Sequence, residues 1–549
     1  MIVWPRAAPG SQLEARTAPY ARARASALIG RVDLVLAGSI AGLGLLCLSM
    51  ILLSNGNLAV ALAPLGLALV VLAASKVPLR HSLLVLAFLC VTMENPSEMF
   101  ANLKWKSPLA TFGALLLVHL KVTIPSDALF FSGLDLALVL LAGIWAVRRM
   151  LRSQVDLRGH IPPAPPLRRA ALVCLAAIGA VWLWGMARTG FSFSNSLWQI
   201  FRVVYLPSVF LLFCAALRGP ADARALGIAL ICAALLRAAI AIYLRQLFPS
   251  TDVLPHATTH SDSMLFADAF LLVLVLFFTQ PSLRNVALAT ATLPLLTWGM
   301  IANNRRLVWV ELLVALLVVY FLTPMTKVKR RLGQSVALAI PVILLYLALG
   351  WNSASGVFAP ARTLRSVMDS SYDTSTLWRD LENYNLYYTF KQNPMVGTGF
   401  GHAYLELVQL PKGSDFYPLY RYAPHNSILG LLTYAGVMGF AAIWLIQPLG
   451  IFFAVRSLDA SRSHRDRTIA LMTIGVLVVY MVHCYGDMAL GTWTSVFTVG
   501  ASLALTAKLA VAVGTWPLRP RAATGYGPGS LGPSPSVPPT SSGAAPNSA

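Results

Sequence analysis

Runs of about twenty apolar residues recur along almost the whole chain, separated by short polar or basic connectors. At about 1.5 Å per residue, each run is as long as a helix crossing a hydrocarbon core of roughly 30 Å. The pattern predicts about fourteen helical spans. They lie near 32–54, 57–75, 78–94, 129–147, 170–187, 198–217, 225–244, 263–279, 286–302, 307–323, 333–350, 427–455, 468–485 and 493–513. The apolar run 107–120 is short for a span and reads as re-entrant or interfacial, because counting it would invert everything downstream. The expected fold is all-α: a polytopic membrane domain over 32–516, after a polar tail at 1–31 and before a Pro-, Gly- and Ser-rich tail at 517–549. That last composition predicts disorder.

Composition agrees with this reading. Hydrophobic residues make up 57% of the 549 and charged residues 11%, about half the charged share of a soluble protein. The formal net charge of +21 raises the question of nucleic acid. The cations sit mainly in short loops, however, so membrane topology accounts for them better. With a cytoplasmic N-terminus, the basic loops alternate: Lys76 and Arg80; Arg148 to Arg169; Arg218 and Arg224; Arg284; Lys327 to Arg331; Arg456 to Arg467; and Lys508, Arg519 and Arg521. The expected topology therefore puts both termini in the cytoplasm of an inner membrane. The first thirty-one residues lack the apolar core and cleavage site of a signal peptide, so none is expected. The six cysteines lie in or beside apolar runs without metal-ligand spacing, and no disulfide framework is expected.

Three connectors on the outer side are long: 95–128, 246–262 and 351–426. The last mixes aromatic, charged and glycine residues over about seventy positions, enough for short helices and a packed lid, and loops of that length tend to be functional. Charges inside spans default to function. Arg202, Arg237, Arg305 and Arg306 all fall toward the outer side, against the positive-inside bias. Each has a plain alternative, snorkelling or interfacial anchoring. An anionic ligand would explain them together, since guanidinium groups grip phosphate oxygens bidentately. His260 and Asp262 open one span on this side, and His483 and Asp487 close another.

In the large loop, Arg379 is either a ligand-binding residue or the partner of Asp380 or Glu382. Gly397, Gly399 and Gly401, in Asn393-Pro394-Met395-Val396-Gly397-Thr398-Gly399-Phe400-Gly401, read as turn formers, because position 402 is His and no parallel-sheet unit surrounds them. His425 stands just before an apolar helix, followed by Asn426. An imidazole ordinarily titrates near about 6.5 and accepts a proton from a hydroxyl at neutral pH; helix capping is the plain alternative. His256-x-x-x-His260-x-Asp262 has zinc-like spacing but no further obvious ligand, and His402 with Glu406 would need to share a helix face. No metal and no cofactor are expected.

His425-Asn426, followed by Gly436 and Gly439, is similar to a signature of the bacterial O-antigen ligase and polymerase superfamily. Arg379 and the Asn393–Gly401 segment resemble that family's loop pattern, and Asn304-Arg305-Arg306 resembles its Ser-Arg segment, with Asn and Arg where small residues are usual. The resemblance covers about residues 290–450. It implies a GT-C-like, metal-independent, inverting glycosyltransferase facing the periplasm. The implied donor is a glycan on undecaprenyl diphosphate. The implied acceptor is another lipid-linked glycan for a polymerase, or lipid A–core for a ligase. His425 would act on the acceptor hydroxyl. Arg202, Arg237, Arg305, Arg306 and Arg379 would hold the diphosphate, with Asn426 and the glycines in support. Chain-length regulators or flippases are the partners such enzymes would meet. The number of spans tilts the expectation toward an O-antigen or exopolysaccharide polymerase. A lipid-linked oligosaccharide transporter is the alternative of another class. It would need charges along both halves of a pathway, whereas the cytoplasmic halves here read as almost charge-free.

Overall fold

The computed structural model of the protein describes residues 77–93, 108–118, 120, 131–150, 159–250, 254–280, 282–325, 327–353, 355–358, 361, 362, 364, 365, 374–410 and 419–517, with seven residues between 41 and 49. The expected spans at 32–54 (but for those seven residues) and 57–75, the polar tail and the C-terminal tail beyond 517 lie outside the described residues. Fifteen α-helices follow in order: α1 Leu79–Thr92, α2 Pro108–Leu117, α3 Gly133–Met150, α4 Pro165–Met186, α5 Phe193–Ala216, α6 Ala223–Leu247, α7 Ser261–Thr279, α8 Leu283–Asn303, α9 Leu307–Leu322, α10 Lys327–Gly350, α11 Thr374–Gln392, α12 Ser427–Trp444, α13 Ile446–Ala460, α14 His464–Gly486 and α15 Trp493–Ala512. No β-strand occurs among the described residues. Among the described residues, nine helical stretches are long and apolar enough to cross a membrane, with α12 and α13 counted as one stretch, and α1 and α9 are shorter apolar helices. The protein is an all-α, multi-pass membrane protein.

Burial sorts these helices. α7, α14 and α15 are apolar on nearly every side and are the most enclosed, with 67%, 72% and 78% of their apolar windows buried. A helix of that kind belongs in the interior. α10 has none of its apolar window buried. The run 107–120 forms the ten-residue helix α2, short as its composition predicts.

Successive spans alternate in direction, so the two ends of the bundle differ in chemistry. One end is basic. There Arg80 pairs with Asp222 at 3.5 Å, Lys508 Nζ donates to the Ile161 carbonyl at 2.7 Å, and the starts of α4 and α14 meet the ends of α15 and α7. The other end gathers the α6–α7 loop, the α8–α9 turn, α11, the start of α12 and the α14–α15 connection.

The apolar stretch 427–455 is not one continuous span. Gly436 breaks α12 with φ 62° and ψ −176°, a region open essentially to glycine alone. Backbone groups freed by the break pair with the glycine loop. Thr398 N and Gly399 N donate to the carbonyls of Thr433 (3.1 Å) and Tyr434 (2.8 Å), and Val437 N and Met438 N donate to those of Pro394 (2.8 Å) and Met395 (3.1 Å). Four orphan groups are thus satisfied away from water, where each would otherwise be costly. A Cβ on Gly436 would stand 2.4 Å from the Met395 carbonyl carbon, and one on Gly399 would stand 2.4 Å from Gly185 Cα of α4. Gly439, one turn beyond the break, is where α12 closes on Val181 of α4. Hydropathy cannot register such a break, which is why the sequence reads as an overlong helix.

Candidate active site

His425 sits at the start of the α12 half-helix. Asn426 caps that half-helix, its side chain accepting from Leu429 N at 3.0 Å. Glu382, from the middle of α11, reaches the same point. Its Oε2 accepts the His425 backbone N–H at 3.0 Å and lies 3.3 Å from His425 Nδ1. The Glu382 side chain is 1% exposed and the His425 side chain 23%. Trp378 packs edge-on against the imidazole, ring centres 4.8 Å apart. The carboxylate at 3.3 Å from Nδ1, outside hydrogen-bond geometry there, favours a proton on that side of the ring through its charge. Nε2 is then left with a lone pair to receive a proton. In the sequence Glu382 stands out only as a partner for Arg379.

A second cluster lies next to it. Ser427 Oγ donates to the Asp487 carbonyl at 3.0 Å, joining the start of α12 to the end of α14. The Asp487 carboxylate closes on His260 Nδ1, at the start of α7. Arg305 Nη1 stands 2.5 Å from His260 Nε2. The charges of Arg305 and Arg379 both act on His260, and that of Arg379 also acts on Asp487. Burial raises the Asp487 carboxyl, but His260, His483 and Arg379 outweigh it and hold it well below the usual carboxylate range.

The turn carrying Arg305 is tightly built. Asn304 ends α8 in the left-handed region at φ 56°, a conformation Asn tolerates better than most residues. Asn303 Oδ1 accepts Thr258 N at 2.9 Å, and Asn304 Nδ2 donates to the Pro255 carbonyl at 3.1 Å. Arg245 donates to the carbonyls of Ala302 and Leu254 at 3.1 and 2.9 Å.

The five candidate arginines therefore fall into different places. Arg305 and Arg379 act on the His260–Asp487 pair. Arg306 is the neighbouring N-cap residue of α9. Arg202 lines a small hollow on the flank of the half-helix with Gln199, Tyr422, Ser427, Tyr434 and Leu490. Arg237 is 1% exposed and engages Asp262 through two nitrogens at 3.0 and 2.5 Å. Its guanidinium is committed to that carboxylate, so it braces the start of α7 and does not present an open face to a ligand.

The metal-like patterns disperse. His256 Nδ1 meets the Asn304 carbonyl at 3.2 Å, His260 turns to Asp487, and Asp262 to Arg237. Burial, then the Arg305 charge, pushes His256 down to about 3. His402 and Glu406 do not share a helix. His402 Nε2 meets the Gly185 carbonyl at 3.0 Å, and Glu406 accepts from Leu410 N and Tyr420 Oη at 2.9 and 2.7 Å. One turn below Asp487, the wholly buried His483 faces Glu311 of α9 at 2.5 Å.

The sequence model of the family described as O-Antigen ligase matches residues 291–444. Over residues 291–444 the chain is similar to the O-antigen ligase/polymerase superfamily. That similarity and the apolar helices together support a membrane enzyme of that type. The matched segment runs from α8 through α12 and includes Arg305, Arg306, Arg379, His425, Asn426 and all five candidate glycines. His260, Asp487 and Arg202 lie outside it and join the site through the fold alone, and Arg237, the partner of Asp262, lies outside it too. No curated protein matches the chain.

Proposed function

We propose that the protein transfers a glycan from undecaprenyl diphosphate to an acceptor hydroxyl at the periplasmic face of the inner membrane. The observation that carries this reading is the placing of the Glu382–His425 pair beside a cationic cluster centred on Arg305 and Arg379. His425, turned by Glu382, takes the proton of the acceptor hydroxyl. That oxygen attacks the anomeric carbon as the bond to the diphosphate breaks, with inversion. Arg305 and Arg379 hold the diphosphate and balance the charge that grows on it as it leaves. Arg306 and Arg202 flank the site. No metal is required by this chemistry.

Glycan analysis of a deletion strain tests the reading and fixes the acceptor. Loss of chain length with single units still transferred makes the protein a polymerase, the outcome expected from its number of spans. Full-length chains stranded on the lipid carrier make it a ligase. Unchanged glycans overturn the proposal. Transfer by purified protein is expected to continue in EDTA, and activity lost in EDTA and restored by zinc would remove the metal-free mechanism.

A further inference from the structure

His260 has two neighbours that pull its proton in opposite senses. Asp487 faces Nδ1, and Arg305 Nη1 lies beside the ring, 2.5 Å from Nε2 and 3.2 Å from Nδ1. A guanidinium only donates hydrogen bonds. A cation that close to both ring nitrogens disfavours a second positive charge on the ring, while Asp487 draws the one proton to Nδ1. His260 is then neutral in the empty protein, with its single proton on Nδ1 toward Asp487. Burial and the charges of Arg305 and Arg379 also lower its proton affinity, and Asp487 opposes them. The ring nevertheless keeps 38% of its side-chain surface exposed, so a ligand can reach it.

A diphosphate reverses this balance. It draws Arg305 from the ring to its own oxygens, since a planar guanidinium pairs better with phosphate than with imidazole. Nε2 then faces an anion, and Asp487 remains at Nδ1. Both neighbours now favour the imidazolium. We propose that His260, aimed by Asp487, is a further ligand of the diphosphate, entering as an imidazolium, so that binding of each donor takes up one proton from solvent. This rests on the diphosphate reading of the site.

The other titratable groups around the ring are already engaged. Asp262 is paired with Arg237, and His483 with Glu311. His256, with its ring centre 6.3 Å away, is bonded to the Asn304 carbonyl. Arg305, Arg306 and Arg379 stay charged throughout. The sign of the linkage follows. The proton affinity of His260 is low in the free protein and higher in the complex. Affinity for the diphosphate is therefore greatest below the free-state value. It falls as pH rises toward the bound-state value, by up to about tenfold per pH unit.

The test is calorimetric titration of the full-length protein with a short-chain prenyl-diphosphate sugar, whose two phosphates stay ionised across neutral pH. Heats are compared in buffers of different ionisation enthalpy. Wild type is expected to take up close to one proton, and His256→Gln to keep that uptake. His260→Gln is expected to bind more weakly and without pH dependence, and Asp487→Asn to take up less. Binding by wild type without proton uptake overturns the inference while leaving the diphosphate site standing. Uptake that persists in His260→Gln overturns it equally. Failure of wild type to bind the probe at all overturns both this inference and the site reading beneath it.

Discussion

Glu382 and His425 divide one task, and substitution separates the parts. General-base assistance is typically worth about 10²–10⁴-fold in rate. His425→Ala is expected to lose about that much in single-turnover transfer while keeping donor binding. His425→Gln, which holds a hydrogen bond but takes no proton, is expected to stay slow; full rescue by Gln would make the residue an orienting group only. Glu382→Gln is expected to lose less than His425→Ala. The arginines separate in a different way. Arg305→Lys and Arg379→Lys are expected to rescue transfer poorly, because a point charge lacks the two-pronged donor geometry. Arg237→Ala leaves Asp262 buried without its cation, and breaking such a pair costs about 3–5 kcal/mol. It is expected to lower the amount of folded protein in the membrane, read by fluorescence size-exclusion chromatography. Normal folding with abolished transfer would return Arg237 to the binding site. His425 and the arginines were legible in the sequence because a charge or an imidazole at a span mouth needs a reason. Asp487 and His260 were visible only as isolated polar residues. Their pairing joins helices more than two hundred positions apart in sequence, and no local pattern encodes that.

At the scale of the element, α12 and the loop before it act as one unit. Alanine at Gly436 adds a conformational strain of about 1–3 kcal/mol, and its methyl group also meets the Met395 carbonyl at 2.4 Å. Gly436→Ala and Gly399→Ala are expected to lower thermal stability in detergent and to reduce activity together, because the loop sets the position of the half-helix that carries His425. Stability unchanged in both variants would show that the loop does not hold the break. Gly397, Gly399 and Gly401, read from the sequence as turn formers, have positive φ, whereas Gly436 read as part of a continuous span and breaks it. The residue that each turn accommodates became clear only with the two segments side by side, since Gly397 and Gly436 meet across thirty-nine positions. Within the 351–426 loop, the expected short helices include one of nineteen residues, α11. Its buried side presents Glu382, Asn385, Leu386 and Thr389, while Tyr384 and Tyr387 stay exposed. Arg379 and Glu382 are three apart on it, so a single helix delivers both a proposed phosphate-binding cation and the carboxylate beside His425.

For the whole molecule, the alternation of basic loops and the direction of the helices agree. Cysteines placed at Ser414 and Ser463 are expected to behave oppositely in intact cells, with the first labelled by an impermeant reagent and the second protected. The reverse result would put the site on the cytoplasmic side. Hydropathy made the multi-pass architecture legible, because a bilayer demands long apolar runs whatever the tertiary detail. It gave no access to which spans lie inside the bundle, since lipid and protein neighbours are equally apolar. The break at Gly436 also bears on biogenesis. The stretch Ser427–Ala460 holds 34 residues, and as one continuous helix it would run to roughly 51 Å, well beyond the roughly 30 Å that a bilayer core accommodates. An insertion machinery that measures only apolar length has no fixed place to start such a segment. The Asn393–Gly401 loop leaves the ribosome first and supplies the partners that the broken backbone needs. The pairing of that loop with the break thus fixes where the apolar segment divides, and with it the distance of His425 from the division.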